Sequence, residues 1–112
     1  MNSLNSILIE GGVVSVKCIE DDPDHKFTKC ELYIVSHRFY DDKQEDSYFT
    51  VMVDNNKLAE TCIEHLHKYS GIRVIGRLKQ VEWTDRDEYG GYINRSKIII
   101  IAEYIEFKPE VK

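Results

Sequence analysis

The sequence predicts an all-β domain with one helix. Three stretches with strand-type patterning precede a single segment with helical periodicity, and two more strand-like stretches follow it. With 112 residues the chain has room for one compact domain, and 42% hydrophobic residues with only six glycines are typical of a globular protein. We therefore expect one domain over residues 1–108 and a short tail over 109–112.

Three strands are expected before the helix, at 7–18, 27–40 and 48–53. The first is β-branched and is interrupted by Gly11 and Gly12, where a long strand would bulge or bend. An acidic turn at 19–26 separates it from the second strand, whose alternation predicts two partly buried faces. A charged hairpin tip at 41–46 then leads into the third.

A helix is predicted over residues 57–69, because its apolar residues form one stripe at helical spacing. Asn55 or Asn56 is suited to cap its start, and Gly71 to end it in a left-handed conformation. Two strands follow, at 72–83 and 95–107, joined by a long hairpin loop at 84–94 that contains two adjacent glycines.

Three strands, a helix and two strands form the element order of the five-stranded Greek-key barrel called the OB-fold, in which the helix closes one end. This fold hosts many activities, so function has to be argued from particular residues. The net charge of −5 excludes nucleic-acid binding through bulk charge alone. Any such site must be a local patch.

The sequence favours a binding protein over an enzyme. It contains no nucleophile elbow, phosphate-binding loop or zinc-protease motif, so we expect no catalysis and no cofactor. Cys62 and His65 share a helix face, but two ligands do not complete a tetrahedral metal site. The three cysteines are widely spaced, as in reduced proteins, and neither a signal peptide nor an 18-residue apolar run is present. We therefore expect a cytoplasmic protein that does not associate with membranes.

The predicted fourth strand has one apolar face and one face that mixes cations with an aromatic ring. The mixed face carries Arg73, Arg77, Lys79 and Trp83. A sequence-tolerant binder of single strands needs this mixture, because cations follow the phosphates and any base can stack on an aromatic plane. The alternative is an ordinary solvated face whose Trp83 packs on a neighbouring subunit.

Two further aromatic residues flank the predicted hairpin tip. Tyr40 ends the second strand and Phe49 begins the third, so in an antiparallel pair they could lie close together on one face. With Trp83 they would form three stacking platforms, although each taken singly is also a candidate core residue. Duplex binding is not favoured, since the helix stripe is used by the core.

Several segments resemble the bacterial single-stranded DNA-binding proteins of replication, recombination and repair. They are NSILIEG at 5–11, KLAE at 57–60, LHKYSG at 66–71, RVIGRLK at 73–79 and WTD at 83–85. The resemblance implies an OB-fold that binds single-stranded DNA (ssDNA) in the nucleoid. It implies a homo-oligomer, most often a homotetramer and sometimes a dimer. By similarity, the stacking residues are Tyr40, Phe49 and Trp83, and the basic contacts are Arg38, Arg77, Lys79 and Arg73.

The sequence also departs from that family. Asn55 stands where members commonly have an aromatic residue, and Val51, Val81 and Glu82 stand where they often have basic ones. Fewer phosphate contacts predict weaker binding with a shallower salt dependence. The family's Gly/Pro-rich linker and acidic recruitment tail are not found after Phe107. Two alternatives remain open, a diverged OB-fold module that binds proteins and a protein whose ligand is single-stranded RNA.

Overall fold

The computed structural model describes residues 2–19 and 28–108, and within these ranges it has five strands and one helix. The elements are β1 (Ile7–Ile19), β2 (Lys29–Tyr40), β3 (Lys43–Val53), α1 (Asn56–His65), β4 (Gly71–Arg86) and β5 (Tyr92–Phe107). The strands close into a barrel in the order β1-β2-β3-β5-β4, in which β3 and β5 are parallel. The predicted fold class is confirmed. Most of the predicted acidic turn, at 20–26, and the tail at 109–112 lie outside the described residues.

Alternate residues of the strands fill the barrel, as strand periodicity requires. The fully buried side chains include Leu32, Ile34, Val51, Val53, Ile72 and Val74. Ala59 and Cys62 of α1 belong to the same core, so the helix adds its apolar stripe to the barrel interior. No helix within the described residues is long and apolar enough to cross a bilayer.

The helix is shorter than its apolar stripe predicts. Asn55 caps its start as expected, with its side-chain oxygen accepting a hydrogen bond from the Leu58 N–H at 3.0 Å. The predicted end at Gly71 is wrong, because α1 stops at His65 and the left-handed residue is Tyr69, at φ 78°. Hydrogen bonds to β1 explain the difference: Tyr69 N–H donates to the Val13 carbonyl, and Val13 N–H donates to Ser70. The chain is therefore already joined to the sheet before Gly71.

Strand β1 changes partners at the predicted glycine pair. Residues 7–12 pair with β4, and residues from Gly12 onward pair with β2, with an irregularity between Val13 and Ser15. A side chain at Gly11 would collide with the Val35 carbonyl. Glycine at this position therefore lets β2 cross close to the bend.

Both predicted hairpin loops are shorter in the structure. The tip predicted at 41–46 is a two-residue turn, in which Asp41 and Asp42 adopt φ values of 46° and 60°. The loop predicted at 84–94 reduces to 87–91, where Asp87 Oδ1 accepts hydrogen bonds from the Gly91 and Tyr89 N–H groups at 2.7 and 2.9 Å. The strands of both hairpins continue into charged sequence that was predicted as loop. Charged side chains are tolerated there because both faces of the hairpins are exposed to solvent.

The two hairpins leave the same end of the barrel. Strands β3 and β5 are parallel, and they pair at Val51 with Ile100 and at Met52 with Ile101. Each hairpin turn precedes its strand, the β2–β3 turn before β3 and the β4–β5 turn before β5. Because the two strands run in the same direction, both turns extend from the same end. We call residues 33–50 the β2–β3 ribbon and residues 77–99 the β4–β5 arm. Helix α1 connects the end of β3 to the start of β4, so it lies at the opposite end.

Candidate nucleic-acid interface

One face of the β4–β5 arm is rich in cations. The register places Lys79 opposite Ile99, Val81 opposite Lys97 and Trp83 opposite Arg95, and directly opposed residues share a face. We define the cationic face as Arg77, Lys79, Trp83, Arg95 and Lys97. Sequence reasoning missed Arg95 and Lys97, because the loop predicted at 84–94 left them without cross-strand partners. Arg95 and Lys97 are two positions apart, so the sequence alone could have placed them on one face of β5.

Trp83 is held in place on this face while part of its ring stays open. Its side chain is 39% exposed, and its indole N–H donates to Asp85 Oδ2 at 3.3 Å. Lys97 Nζ lies 6.0 Å from the ring centroid, within the range of a cation–π contact. Asp85 also pairs with Arg95 at 2.7 Å, which offsets one of the four cationic charges.

Arg77, Lys79 and Lys97 form no ion pair within the part of the chain that the structure describes. Alternate residues of a strand lie about 6.8 Å apart, so Arg77 and Lys79 present two successive charges along β4. These charges share one face with the Trp83 platform, in a chain of net charge −5. The local patch expected from the sequence is therefore present.

Arg73 has different surroundings, although it also lies on β4. Its guanidinium bridges Glu10 on β1 at 3.1 Å and Glu106 on β5 at 3.3 Å. These contacts raise the pKa of Arg73, and hydrogen bonds from Lys108 and Arg73 lower the pKa of Glu10. Arg73 is ten residues from Trp83, about 33 Å along the strand. The structure does not bring it to the cationic face.

Tyr40 and Phe49 do not lie side by side, so this part of the prediction is wrong. Tyr40 is opposite Lys43, whereas Phe49 is opposite Ile34, about 20 Å along the ribbon. The two-residue turn shifts the register away from the one that a longer loop would give. Tyr40 is 44% exposed near the ribbon tip and donates a hydrogen bond to Glu45, which lies opposite Arg38. Phe49 is half-buried against the core.

The outer face of the β2–β3 ribbon carries other exposed rings. Tyr33 and Tyr48 stack with centroids 5.6 Å apart and an interplanar angle of 19°. Phe39 is also exposed, and His37 Nδ1 lies 2.6 Å from Asp46 Oδ1. Hydrogen bonds from Gln44 and His37 lower the pKa of Asp46. The sequence showed the alternation of these rings but not the register that pairs the two tyrosines.

Cys62 and His65, the two potential metal ligands considered on the helix, have different surroundings. Cys62 is buried in the core, where its contact with Cys30 and their burial raise the pKa of the Cys30 thiol. His65 is exposed at the end of α1. Across residues 2–19 and 28–108, no three His, Cys, Asp or Glu side chains are grouped so as to hold a metal ion.

Sequence comparison identifies a similar protein of known class. The chain is 28% identical over 111 residues to single-stranded DNA-binding protein 2 of Chlorobaculum tepidum, covering 96% of this chain and 72% of the relative. No family model matches the chain. The resemblance indicated by the sequence motifs is confirmed by this relative.

Solved structures show the same fold. The SSB of Plasmodium falciparum, in complex with ssDNA, superposes with a TM-score of 0.79 at 18% identity, covering 97% of this chain and 98% of that one. A small single-stranded DNA binding protein from Mycoplasma pneumoniae gives 0.64 at 22% identity, with 98% of both chains covered. The Thermus aquaticus single-stranded DNA binding protein gives 0.72 at 20%, with 95% of this chain and 50% of that chain covered. The OB-fold is therefore established.

Proposed function

We propose that this protein binds ssDNA without sequence preference and serves DNA replication, recombination and repair. The observation that carries the proposal is the cationic face, where the open ring of Trp83 lies beside Lys97 and shares its face with Arg77 and Lys79. These three cations form no ion pair among the described residues. The relative from Chlorobaculum tepidum is named a single-stranded DNA-binding protein, which supports the binding part of the proposal. The protein would act in the cytoplasm by binding alone, without turnover or cofactor.

The physical basis is a division between phosphate and base contacts. Lysine and arginine side chains neutralise phosphates and release counterions, which contributes affinity at any sequence. Trp83 supplies a plane on which any base can stack, for about 1–3 kcal/mol per base. Neither interaction reads the base edges, so the site tolerates any sequence.

Within residues 1–108, which we propose as the DNA-binding domain, the predicted contacts divide into two groups. Arg77, Lys79 and Trp83 form the primary site together with Arg95 and Lys97. Arg38 and Tyr40 would be secondary contacts near the ribbon tip, where both are exposed. The other two predicted contacts, Phe49 and Arg73, are assigned to stability rather than to DNA contact. Phe49 packs on the core, and Arg73 is ion-paired within the sheet.

Titration with oligo(dT) tests the proposal. Wild-type protein should show quenching of the fluorescence of Trp83, its only tryptophan, that weakens with salt. Measured with a labelled oligonucleotide, Trp83→Ala should raise the Kd by about 5- to 150-fold, the equivalent of ~1–3 kcal/mol. Trp83→Phe should lose less because it keeps an aromatic plane. Unchanged affinity in Trp83→Ala would remove this residue from the site.

Oligo(dT) binding, followed by competition with RNA, tests the two alternatives, a protein-binding module and an RNA-binding protein. A module that binds only proteins predicts no oligo(dT) binding even at low salt. An RNA ligand predicts that a matched RNA oligonucleotide displaces the DNA better than DNA itself does. We expect DNA to compete at least as well as RNA, although stacking itself reads the sugar weakly.

We also propose that the protein assembles with itself, most simply as a homotetramer or a dimer. Leu8, Ile75 and Tyr104 lie opposite one another on β1, β4 and β5, with 65%, 39% and 57% of their surface exposed. The adjacent row of Glu10, Arg73 and Glu106 is already ion-paired within the chain, so the apolar row is the part of this face that a two-fold related copy would cover. Light scattering should give a mass of two or four chains. Ile75→Glu should lower that mass, and an unchanged mass would exclude this face.

A further inference from the structure

The side chain of Asn5 is bonded to the backbone at the start of the β4–β5 arm. Its Nδ2 donates a hydrogen bond to the Leu78 carbonyl at 2.8 Å, and its Oδ1 accepts one from the Leu78 N–H at 3.0 Å. Asn5 precedes β1 and is 73 positions away from Leu78 in the sequence. The N-terminal segment is therefore tied to a distant strand through one side chain.

Asn5 occupies the position where the next backbone pair of β1 with β4 would lie. The pairing of these strands ends at Ile7 with Gly76, and two more steps of the same antiparallel register bring Asn5 opposite Leu78. Two directly opposed residues of an antiparallel pair can exchange both of their N–H to carbonyl bonds. The carboxamide of Asn5 offers the same combination of one donor and one acceptor. The side chain thus takes the place of one further strand residue.

This contact lies where β4 loses its other support. The register of β4 with β5 is irregular between Ile75 and Gly76, and the pairing with β1 ends at Gly76. The N–H and carbonyl of Leu78 both point to the side of β4 that faces Asn5, so they are not available to β5. Loss of the Asn5 side chain would leave both groups to solvent and free this edge of the arm.

Leu78 lies between the two cations that β4 contributes to the cationic face. Arg77 and Lys79 are its neighbours in sequence, and their side chains lie on the other side of the strand. A fixed backbone at Leu78 therefore fixes the direction in which both cations leave the strand. Because the carboxamide of Asn5 is engaged with Leu78, any effect of Asn5 on a ligand passes through these neighbours.

We propose that Asn5 is a positioning residue for DNA binding, which holds the β4 backbone so that Arg77 and Lys79 are already placed when the strand arrives. This inference rests on the proposed ssDNA binding and adds to it a residue outside the cationic face. Side chains that are placed in advance lose less entropy on binding. Asn5 therefore raises the affinity without adding a phosphate contact.

Asn5→Ala tests this role, and Asn2→Ala is the matched control, because the Asn2 side chain forms no hydrogen bond within residues 2–19 and 28–108. Asn5→Ala should raise the Kd for labelled oligo(dT) by about 3- to 10-fold, the range expected for ordering a released side chain. The slope of log affinity against log salt should stay that of the wild type, because the same phosphates are contacted. Asn2→Ala should change neither quantity.

Amide hydrogen exchange gives a second measurement, on the protein without DNA. The Leu78 amide should exchange faster in Asn5→Ala, because its hydrogen-bond acceptor is removed. The Val74 amide lies where β4 pairs with both β1 and β5, and it should keep its rate. An unchanged rate at Leu78 would overturn the inference, since Asn5 would not be holding this backbone.

A double-mutant cycle separates positioning of the two cations from a general effect of Asn5 on the protein. In the Arg77→Ala/Lys79→Ala background, Asn5→Ala should cause little further loss of affinity, because the charges that it places are gone. An equal loss in that background would overturn the inference, because the effect would not pass through these cations.

Thermal melting checks that every variant is folded. If Asn5→Ala does not fold, Asn5→Ser replaces it, because the shorter serine side chain cannot make both bonds of the carboxamide. Wild-type affinity in the folded Asn5 variant, alongside weakened binding in Arg77→Ala, would overturn the positioning role and leave the proposed function intact. Absence of oligo(dT) binding by the wild type would instead overturn the proposed function, and this role of Asn5 with it.

Discussion

The two halves of strand β4 place similar residues in opposite surroundings. In the lower half, Arg73 is held between Glu10 and Glu106 inside a closed sheet. In the upper half, Arg77 and Lys79 lie on the same side of the strand, and no carboxylate pairs with them in the described chain. The neighbouring strands cause the difference, because β1 supplies a partner only as far as Gly76.

This comparison shows that a basic residue in an alternating pattern does not by itself predict a phosphate contact. The pattern assigned Arg73, Arg77 and Lys79 to one face, and the structure agrees with that assignment. Whether each charge is available depends on residues that are distant in sequence. Glu10 is 63 residues from Arg73, and Glu106 is 33 residues from it.

Gly76 marks the boundary between the two halves. Adding a side chain there should change the free energy of unfolding, and this is the largest effect that we expect. An alanine Cβ would collide with the backbone of Ile101, which cannot move without breaking the β4–β5 ladder. We expect Gly76→Ala to lower the free energy of unfolding by about 3 kcal/mol or more, measured by urea denaturation. Gly12→Ala is the control, because a Cβ there meets nothing within 4 Å. Equal stabilities for the two variants would contradict the close approach.

Alanine substitution of the two arginines should separate the two halves by their effect on DNA binding. Arg77→Ala should weaken oligo(dT) binding and reduce the steepness of the salt dependence by about 0.7, the value for one phosphate contact. Arg73→Ala should leave that slope unchanged, because its charge is already paired. The measurement is affinity at several salt concentrations. Equal losses of slope in both variants would show that Arg73 also reaches the DNA.

The smallest expected effect concerns the stability of the lower half at acid pH. Hydrogen bonds from Lys108 and Arg73 lower the pKa of Glu10 below its ordinary value of 4.5. The stabilisation from Glu10 is therefore fully present above that value and is lost as the pH falls through the lowered pKa. Glu10→Gln should lower Tm slightly at pH 7, and this difference from the wild type should shrink as the pH falls below 4.5 and through the lowered pKa.

Glu103→Gln serves as the control for this measurement, because Glu103 is an exposed carboxylate with no ion pair among the described residues. It should leave Tm nearly unchanged across the same pH range. A Glu10→Gln difference in Tm that stayed the same through the whole acid range below pH 4.5 would show that charge on Glu10 is not its source.

The sequence by itself determined the elements and their order. Alternation identified the barrel strands, helical spacing identified α1, and Asn55 was among the two predicted caps. Parity placed Arg77, Lys79 and Trp83 on one face, because side chains of a strand alternate whatever it pairs with. These features are local, so the residues within a few positions were enough to predict them.

Only the tertiary structure decided which residues meet across strands. The two-residue turn at Asp41 and Asp42 sets a register that separates Tyr40 from Phe49 and brings Tyr33 onto Tyr48. Pairing of β4 with β5 adds Arg95 and Lys97 to the cationic face, and closure of the barrel neutralises Arg73. Register depends on turn geometry and on contacts between distant segments, and a shift of one residue reverses the face of every side chain.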